Sequence, residues 1–316
     1  MIPTRRSLLT GIGAIAGAAL LPCQAWAGKR DIAIGLEVYT VGGELLKDFD
    51  GTLAAIAAAG YREIEIPSLY GRSVPVWQAA LKQHGLVCDS MHIAATGFGP
   101  DMASLENKPE EVLGQARDMG VTYIPCGLPP MPIAKRPTLD DLKKDFGGAF
   151  ERFFASMTVA DWRWVADFLN EKGVLAKARG LTLAYHNHSA EFRPGDGTTG
   201  FDELMRLLDP KLVTMELDCG WAIAGGRDPV ALLNAHPGRF ELLHLKDLHR
   251  PAEATYVNKM EAADIGAGVV DWPALLAAAR KAGVRHTYVE QEPPYTRSPL
   301  AIAADAYRYL AAVPRR

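Results

Sequence analysis

No apolar run after residue 27 approaches the roughly 20 residues that a membrane-spanning helix needs, so no stable span is expected there. A basic patch is also lacking. The 34 Lys and Arg against 37 Asp and Glu give a net charge of −3, or −5 once Arg5 and Arg6 are discounted, which argues against a nucleic-acid partner. Cysteine is scarce, with Cys23, Cys88, Cys126 and Cys219 at unrelated spacings, and this excludes a disulfide framework. No glycine-rich dinucleotide turn follows the first apolar strand, which excludes the doubly wound nucleotide-binding sheet. Nor is any glycine loop evident that would cradle a phosphate.

What is present begins with a leader. MIPTRRSLLTGIGAIAGAALLPCQAWAGKR has a basic start, a short apolar stretch and the small-residue site Ala25-Trp26-Ala27. Residues 1–27 are expected to form a twin-arginine-type signal peptide around Arg5-Arg6, cleaved after Ala27. The partner is then the twin-arginine export machinery and the destination a bacterial periplasm. Cleavage removes Cys23 and leaves an odd number of cysteines, each near the end of an expected strand. They read as buried free thiols, with one bridge between two of them left open.

From residue 28 to 316, short β-branched runs alternate with longer stretches of helical period. Strands are expected at 32–39, 61–67, 87–94, 121–127, 181–188, 213–219, 240–247 and 286–292. Helices such as FDGTLAAIAAAG and WPALLAAARKAG lie between them, several closing in Gly as a C-terminal cap would. Eight strands alternating with eight helices, with no linker, predict a single-domain α/β protein, a closed (β/α)8 TIM barrel. Residues 131–157 exceed a usual loop and are expected to form a flap with a helix of its own, and the stretch after the seventh strand forms a second long loop.

Side chains two apart in a strand share a face. His186 and His188, Glu216 and Asp218, His244 and Lys246, and Glu290 and Glu292 therefore pair up on one side of the last four strands. Leu217, Leu243, Leu245 and Val289 occupy the other side. Glu37, Glu63, Glu65 and His92 add to the polar set from earlier strands. Buried ionisable groups are costly unless paired or metal-bound, and one barrel mouth would collect them all, so a shared divalent cation is expected. Glu63 is expected to face solvent at its strand's start, and Glu216 to lie deeper, bridged to a neighbour such as Lys246. Trp221 and Trp272 are candidates either for stacking on a sugar ring or for packing.

YHNH at 185–188, ELDCGW at 216–221, LLHLKD at 242–247 and VEQE at 289–292 resemble the xylose isomerase-like barrel superfamily, in particular its sugar phosphate isomerase/epimerase group. The stretch from Gly35 to Gly71 is similar to that group's opening block. The resemblance implies one Mn2+, Mg2+, Co2+ or Zn2+ ion and a metal set in which Asp218, His244 and Glu290 match. The family's fifth-strand glutamate falls on Ala184. His186, two residues on with the same parity, is expected to replace it as ligand or catalytic group. Glu290, His186 and Lys246 are then the catalytic candidates, with Glu37, Glu65, His92, His188, Trp221 and Glu292 around a small carbohydrate.

The implied chemistry is sugar isomerisation or epimerisation through proton abstraction beside a carbonyl, with a cation-stabilised enediolate. Loss of a β-substituent from the same intermediate would instead make the protein a lyase or dehydratase on a keto-sugar or 3-keto-glycoside. Two other classes remain: a periplasmic carbohydrate-binding protein that has lost its metal, against which the intact Asp218, His244 and Glu290 set speaks, and a metal-dependent nuclease, which the acidic balance disfavours.

Overall fold

The computed structural model describes residues 32–99 and 102–314. The expected leader, with its arginine pair and cleavage site, lies outside the described residues. Eight parallel strands close into a barrel: β1 (Ala33–Glu37), β2 (Glu63–Ile66), β3 (Val87–Met91), β4 (Tyr123–Cys126), β5 (Thr182–His186), β6 (Val213–Asp218), β7 (Phe240–Leu245) and β8 (His286–Val289). Each strand pairs with its sequence neighbours, and β8 closes on β1 with Ala33 opposite His286 and Leu36 opposite Val289. All eight expected strands are observed, each shorter at its carboxyl end, and β1, β2, β4 and β5 also begin one or two residues later than expected.

One helix follows each strand: α1 (Phe49–Ala59), α2 (Val74–His84), α3 (Pro109–Met119), α4 (Val159–Lys177), α5 (Gly200–Leu207), α6 (Pro229–Ala235), α7 (Trp272–Ala282) and α8 (Pro299–Ala312). The glycines read as caps do end α1, α2, α3 and α7: Gly60, Gly85, Gly120 and Gly283 all sit at positive φ. Four further helices exceed the expected eight, at Gly42–Lys47, Leu139–Lys144, Phe146–Ser156 and Cys219–Ala224. The flap after β4 thus carries two helices rather than one. Asp145 divides them, because its carboxylate accepts from Gly148 N and caps the second helix as the first ends.

Alternation along the strands sorts the core. Leu217, Leu243, Leu245 and Val289 point outward and are buried against the helices, each worth about 1.5–3 kcal/mol of apolar burial. Inside, Tyr123, Ala184, Leu242 and Tyr288 form a packed layer across the barrel. Gly35 is required there, since a Cβ would lie 2.6 Å from the Tyr288 ring. Below that layer Glu63 is not solvent-facing as expected: it accepts from the Tyr288 hydroxyl at 2.9 Å and pairs with His286. Cys88, Cys126 and Cys219 are buried and free, so no bridge forms among them.

Candidate metal centre and active site

Above the tyrosine layer the strand ends deliver their polar residues to one place, as a TIM barrel delivers catalytic groups to its carboxyl-end face. Glu37, Glu65, Glu216, Asp218, His244 and Lys246 are at most 1 % exposed, and His92, His186, His188, Glu290 and Glu292 line the cavity above them with Trp221. His186, Asp218, His244 and Glu290 each present one atom, all within 4.8 Å of one another. The closest pair is His244 Nδ1 and Glu290 Oε2 at 2.8 Å, while Asp218 Oδ2 is 3.9 Å from both His186 Nε2 and His244 Nδ1. Two other groupings share these histidines: His92, His186, Glu216 and His244, and Glu37, Glu65, His92 and His244.

Each imidazole of the first group is held from behind by a carboxylate. His186 Nδ1 donates to Glu216 Oε2 at 2.9 Å, which leaves Nε2 turned toward Asp218. His244 Nε2 donates to Glu65 Oε2 at 2.6 Å, which leaves Nδ1 toward Asp218 and Glu290. This carboxylate–imidazole pairing is the arrangement that orients histidine ligands in metal sites. Glu65 and Glu216 sit where the ladder slips register, between Ile64 and Glu65 on β2 and between Met215 and Glu216 on β6. Such bulges re-aim a side chain beside a site. Ser90 secures Glu65 with a short hydrogen bond, and Asn187 Oδ1 accepts from Asp218 N at 3.1 Å.

The charges balance internally. Burial opposes ionisation of Lys246, yet Asp218, Glu290 and Glu292 at 3.1, 2.9 and 2.8 Å raise its pKa well above the ordinary lysine value. Burial likewise opposes charge on His92 and His244, but Glu65 and Glu216 hold both imidazoles well above the histidine range. In return Glu216 and Glu290 are held well below the carboxylate range against the effect of burial, Glu216 chiefly by His244 and Glu290 chiefly by Lys246. Glu37 is pushed well up by burial and then by Glu65. His188 is pushed well down by burial, then by His186 and Lys246, and its Nδ1 has no hydrogen-bond partner among the described residues.

The donor set fits a divalent ion. Asp218 Oδ2 is buried without a hydrogen bond among the described residues, because the nearby Lys246 ammonium is not aligned for one. Glu216 Oε1 and Glu37 Oε2 are likewise unpartnered. Two imidazoles and two carboxylates are a donor set that suits Mn2+, Co2+ or Zn2+.

One expectation is corrected and one alternative is decided. Glu216 contacts His186, His92 and His244 rather than Lys246, because Lys246 reaches away from it to Asp218, Glu290 and Glu292. Of the two readings open for Trp272, packing holds: it is buried, and its Nε1 donates to Asp247. Trp221 does reach the site, 5.4 Å from His188 and beneath the Lys246 ammonium. The parity pattern did not single out Ser90, Asn187 or Asp247. Asp247 accepts from the backbone of Leu248, Gly266, Gly268 and Val270 and so ties down the loop after β7. The neighbouring LKD and HNH runs were the available signal.

Residues 53–313 match the family model described as a xylose isomerase-like TIM barrel. An inosose dehydratase of Geobacillus thermodenitrificans is 28% identical over 296 residues, covering 85% of this chain and 90% of that one. A second inosose dehydratase, from Geobacillus kaustophilus, aligns at 28% over 63% of this chain and 62% of its own length. Among solved structures, a sugar phosphate isomerase/epimerase from Parabacteroides distasonis superposes with TM-score 0.69 at 23% identity, covering 91% of this chain and 96% of that one. A xylose isomerase-like TIM barrel protein from Mycobacterium smegmatis in complex with magnesium gives TM-score 0.58 at 15% identity, covering 90% and 96%. A match that runs from the first barrel helix to the end of the last one places the chain in the xylose isomerase-like TIM-barrel family of enzymes.

Proposed function

We propose that this protein is a divalent-metal-dependent lyase that eliminates a β-substituent from a keto-sugar. The observation that carries it is the convergence of His186, Asp218, His244 and Glu290, each offering one atom within 4.8 Å of the others. An ion bound by these four supplies Lewis-acid stabilisation of negative charge developing on a substrate carbonyl oxygen. His188 takes the proton from the carbon beside that carbonyl: it lines the cavity, burial keeps it neutral, and its Nδ1 is unpartnered among the described residues. The electron pair of the broken C–H bond becomes a C=C bond, the adjacent C–O bond breaks, and the leaving oxygen receives the proton from His188. Lys246, held as an ammonium by three carboxylates beneath the cavity, offsets their negative charge. With Asp218 and Glu290 holding an ion, Glu292 would still pair with that ammonium.

Elimination is favoured over the epimerisation first expected because it needs only one base, whereas inverting a carbon needs proton-transfer groups on both of its faces. The position of the second carboxylate is Ala184, packed in the tyrosine layer below the site, so two carboxylates do not face each other across the sugar. The inosose dehydratases among the relatives support the same choice.

Incubation of Mn2+-loaded protein with cyclic keto-sugars and 3-keto-glycosides in D2O, followed by NMR, tests this. Elimination releases the substituent and creates an alkene carbon pair. Deuterium gain at one carbon with unchanged connectivity would identify an epimerase instead, and inertness toward every substrate with metal bound would refute enolising chemistry. His188→Gln should abolish turnover while leaving Mn2+ affinity within about threefold.

A further inference from the structure

The cavity over the metal centre holds about 670 Å3, the size of a pocket for a drug-sized ligand rather than for one sugar ring. Its two halves differ in kind. The floor carries Glu37, His92, His186, His188, Glu290 and Glu292, whereas the opposite wall is built by the flap and the loop after β3 from Phe98, Met102, Met131, Phe146, Phe150 and Phe154. The phenyl rings form a ladder: Phe98 meets Phe150 edge-on at 5.7 Å, Phe146 lies 5.0 Å from Phe150, and Phe154 lies 6.4 Å beyond. Phe154 anchors the ladder in the core, while Phe146 and Met102, 66 and 44 % exposed, keep apolar surface open at the rim. Solvent-facing aromatics contiguous with a charged floor mark a surface that a ligand covers.

Charge decides which ligand. Among the described lining residues the one Lys or Arg is Lys259, and its ammonium is already paired with Glu151 at 2.6 Å. Four glutamates line the same space. A phosphate dianion would therefore meet carboxylates and no available cation beyond the metal centre.

We propose that the aromatic wall is an aglycone subsite, and that the substrate is an uncharged keto-glycoside with an aryl or similarly flat apolar aglycone, not a sugar phosphate or a free keto-sugar. This rests on the elimination reading for the glycone half. The aglycone oxygen is then the leaving group, departing with the glycosidic electron pair and the proton from His188. The polyol lies on the metal floor, and the ring of the aglycone lies against Phe150 and Phe146 in the offset or edge-on contacts that aromatic pairs prefer.

The test compares phenyl and methyl 3-keto-glucosides with the Mn2+-loaded full chain. Aryl oxygens also leave more readily, so KM is read and not kcat. Burial of the ring should lower KM for the phenyl compound about 10- to 100-fold. Phe150→Ala should shrink that ratio to less than about threefold, and Phe146→Ala, which changes an exposed side chain, should shrink it in the same direction. Equal KM values, or a lower KM for a keto-sugar phosphate, would overturn the proposal. Calorimetric binding of the unoxidised phenyl and methyl glucosides separates the two readings. If no keto-glycoside turns over, the elimination reading fails, and the subsite stands only if phenyl glucoside still binds at least tenfold more tightly and Phe150→Ala removes the difference.

Discussion

Replacing Glu216 with Gln should weaken Mn2+ binding while leaving all four proposed ligands in place. In the native protein Glu216 Oε2 accepts from His186 Nδ1 at 2.9 Å, and the same oxygen lies 3.3 Å from His92 Nε2 and 3.5 Å from His244 Nε2. Gln preserves the volume and one acceptor but removes the charge that strengthens those contacts. Its amide can also turn so that N–H faces N–H at His186, releasing the ring from the orientation that presents Nε2 to Asp218. Loss of such a partner behind a histidine ligand typically costs 10- to 100-fold in metal affinity, about 1.4–2.7 kcal/mol. Titration of metal-free protein with Mn2+ by calorimetry or chelator competition measures it. Glu203→Gln on α5, where the carboxylate bridges Arg163 and Arg206, is the control for a charge lost elsewhere. An affinity for Mn2+ within twofold of wild type, with the metal-free thermal midpoint unchanged, would refute the assignment of Glu216 as the group that positions His186.

Burial raises the Glu191 carboxyl from its ordinary 4.5 to about 7, although Tyr185 Oη and His188 N both donate to its Oε1. A folded pKa above the unfolded one means stability is fully present below about pH 4.5 and falls as pH rises through 7, by an amount on the order of 3 kcal/mol. Glu191→Gln should flatten that loss in urea titrations between pH 5 and pH 8, and an unchanged slope would show that Glu191 is ionised throughout. Gly35→Ala drives a methyl to within 2.6 Å of the Tyr288 ring and should cost about 1–3 kcal/mol in urea denaturation, so a change under 0.5 kcal/mol would contradict the packing described. Replacing Arg5 and Arg6 by Lys should retain the protein in the cytoplasm with its leader attached, whereas periplasmic protein from the wild-type gene should begin at Gly28. Export unaffected by the change would remove the twin-arginine reading.

The barrel was legible because its signal is periodic. Alternation of apolar and ionisable residues along LTLAYHNH and LLHLKD follows from the two faces of a strand, and position near the strand's carboxyl end follows from the fold. Parity puts these strand-end residues on one face, the family resemblance singles out Asp218, His244 and Glu290 among them, and the structure brings one atom of each, with one of His186, to within 4.8 Å of the others. What escaped depends on geometry that period alone does not carry. The register slips at Glu65 and Glu216 decide which nitrogen each carboxylate meets, and a one-residue irregularity leaves no mark on hydrophobic spacing. Lys246 was assigned a deeper partner for the same reason, since parity gives the face of a residue but not the direction of a long side chain. The aromatic wall lay in the flap, whose two helices are set by the Asp145 cap and whose phenylalanines serve the cavity as well as the flap's own packing.

The layer of Tyr123, Ala184, Leu242 and Tyr288 also has a kinetic meaning. It stops the barrel from below, so among the described residues the centre opens through the cavity above it, and whatever sits deepest must arrive first and depart last. Binding should be compulsory in order, cation before sugar, with a chelator able to strip the ion from the resting protein but not from one whose doorway is filled by ligand.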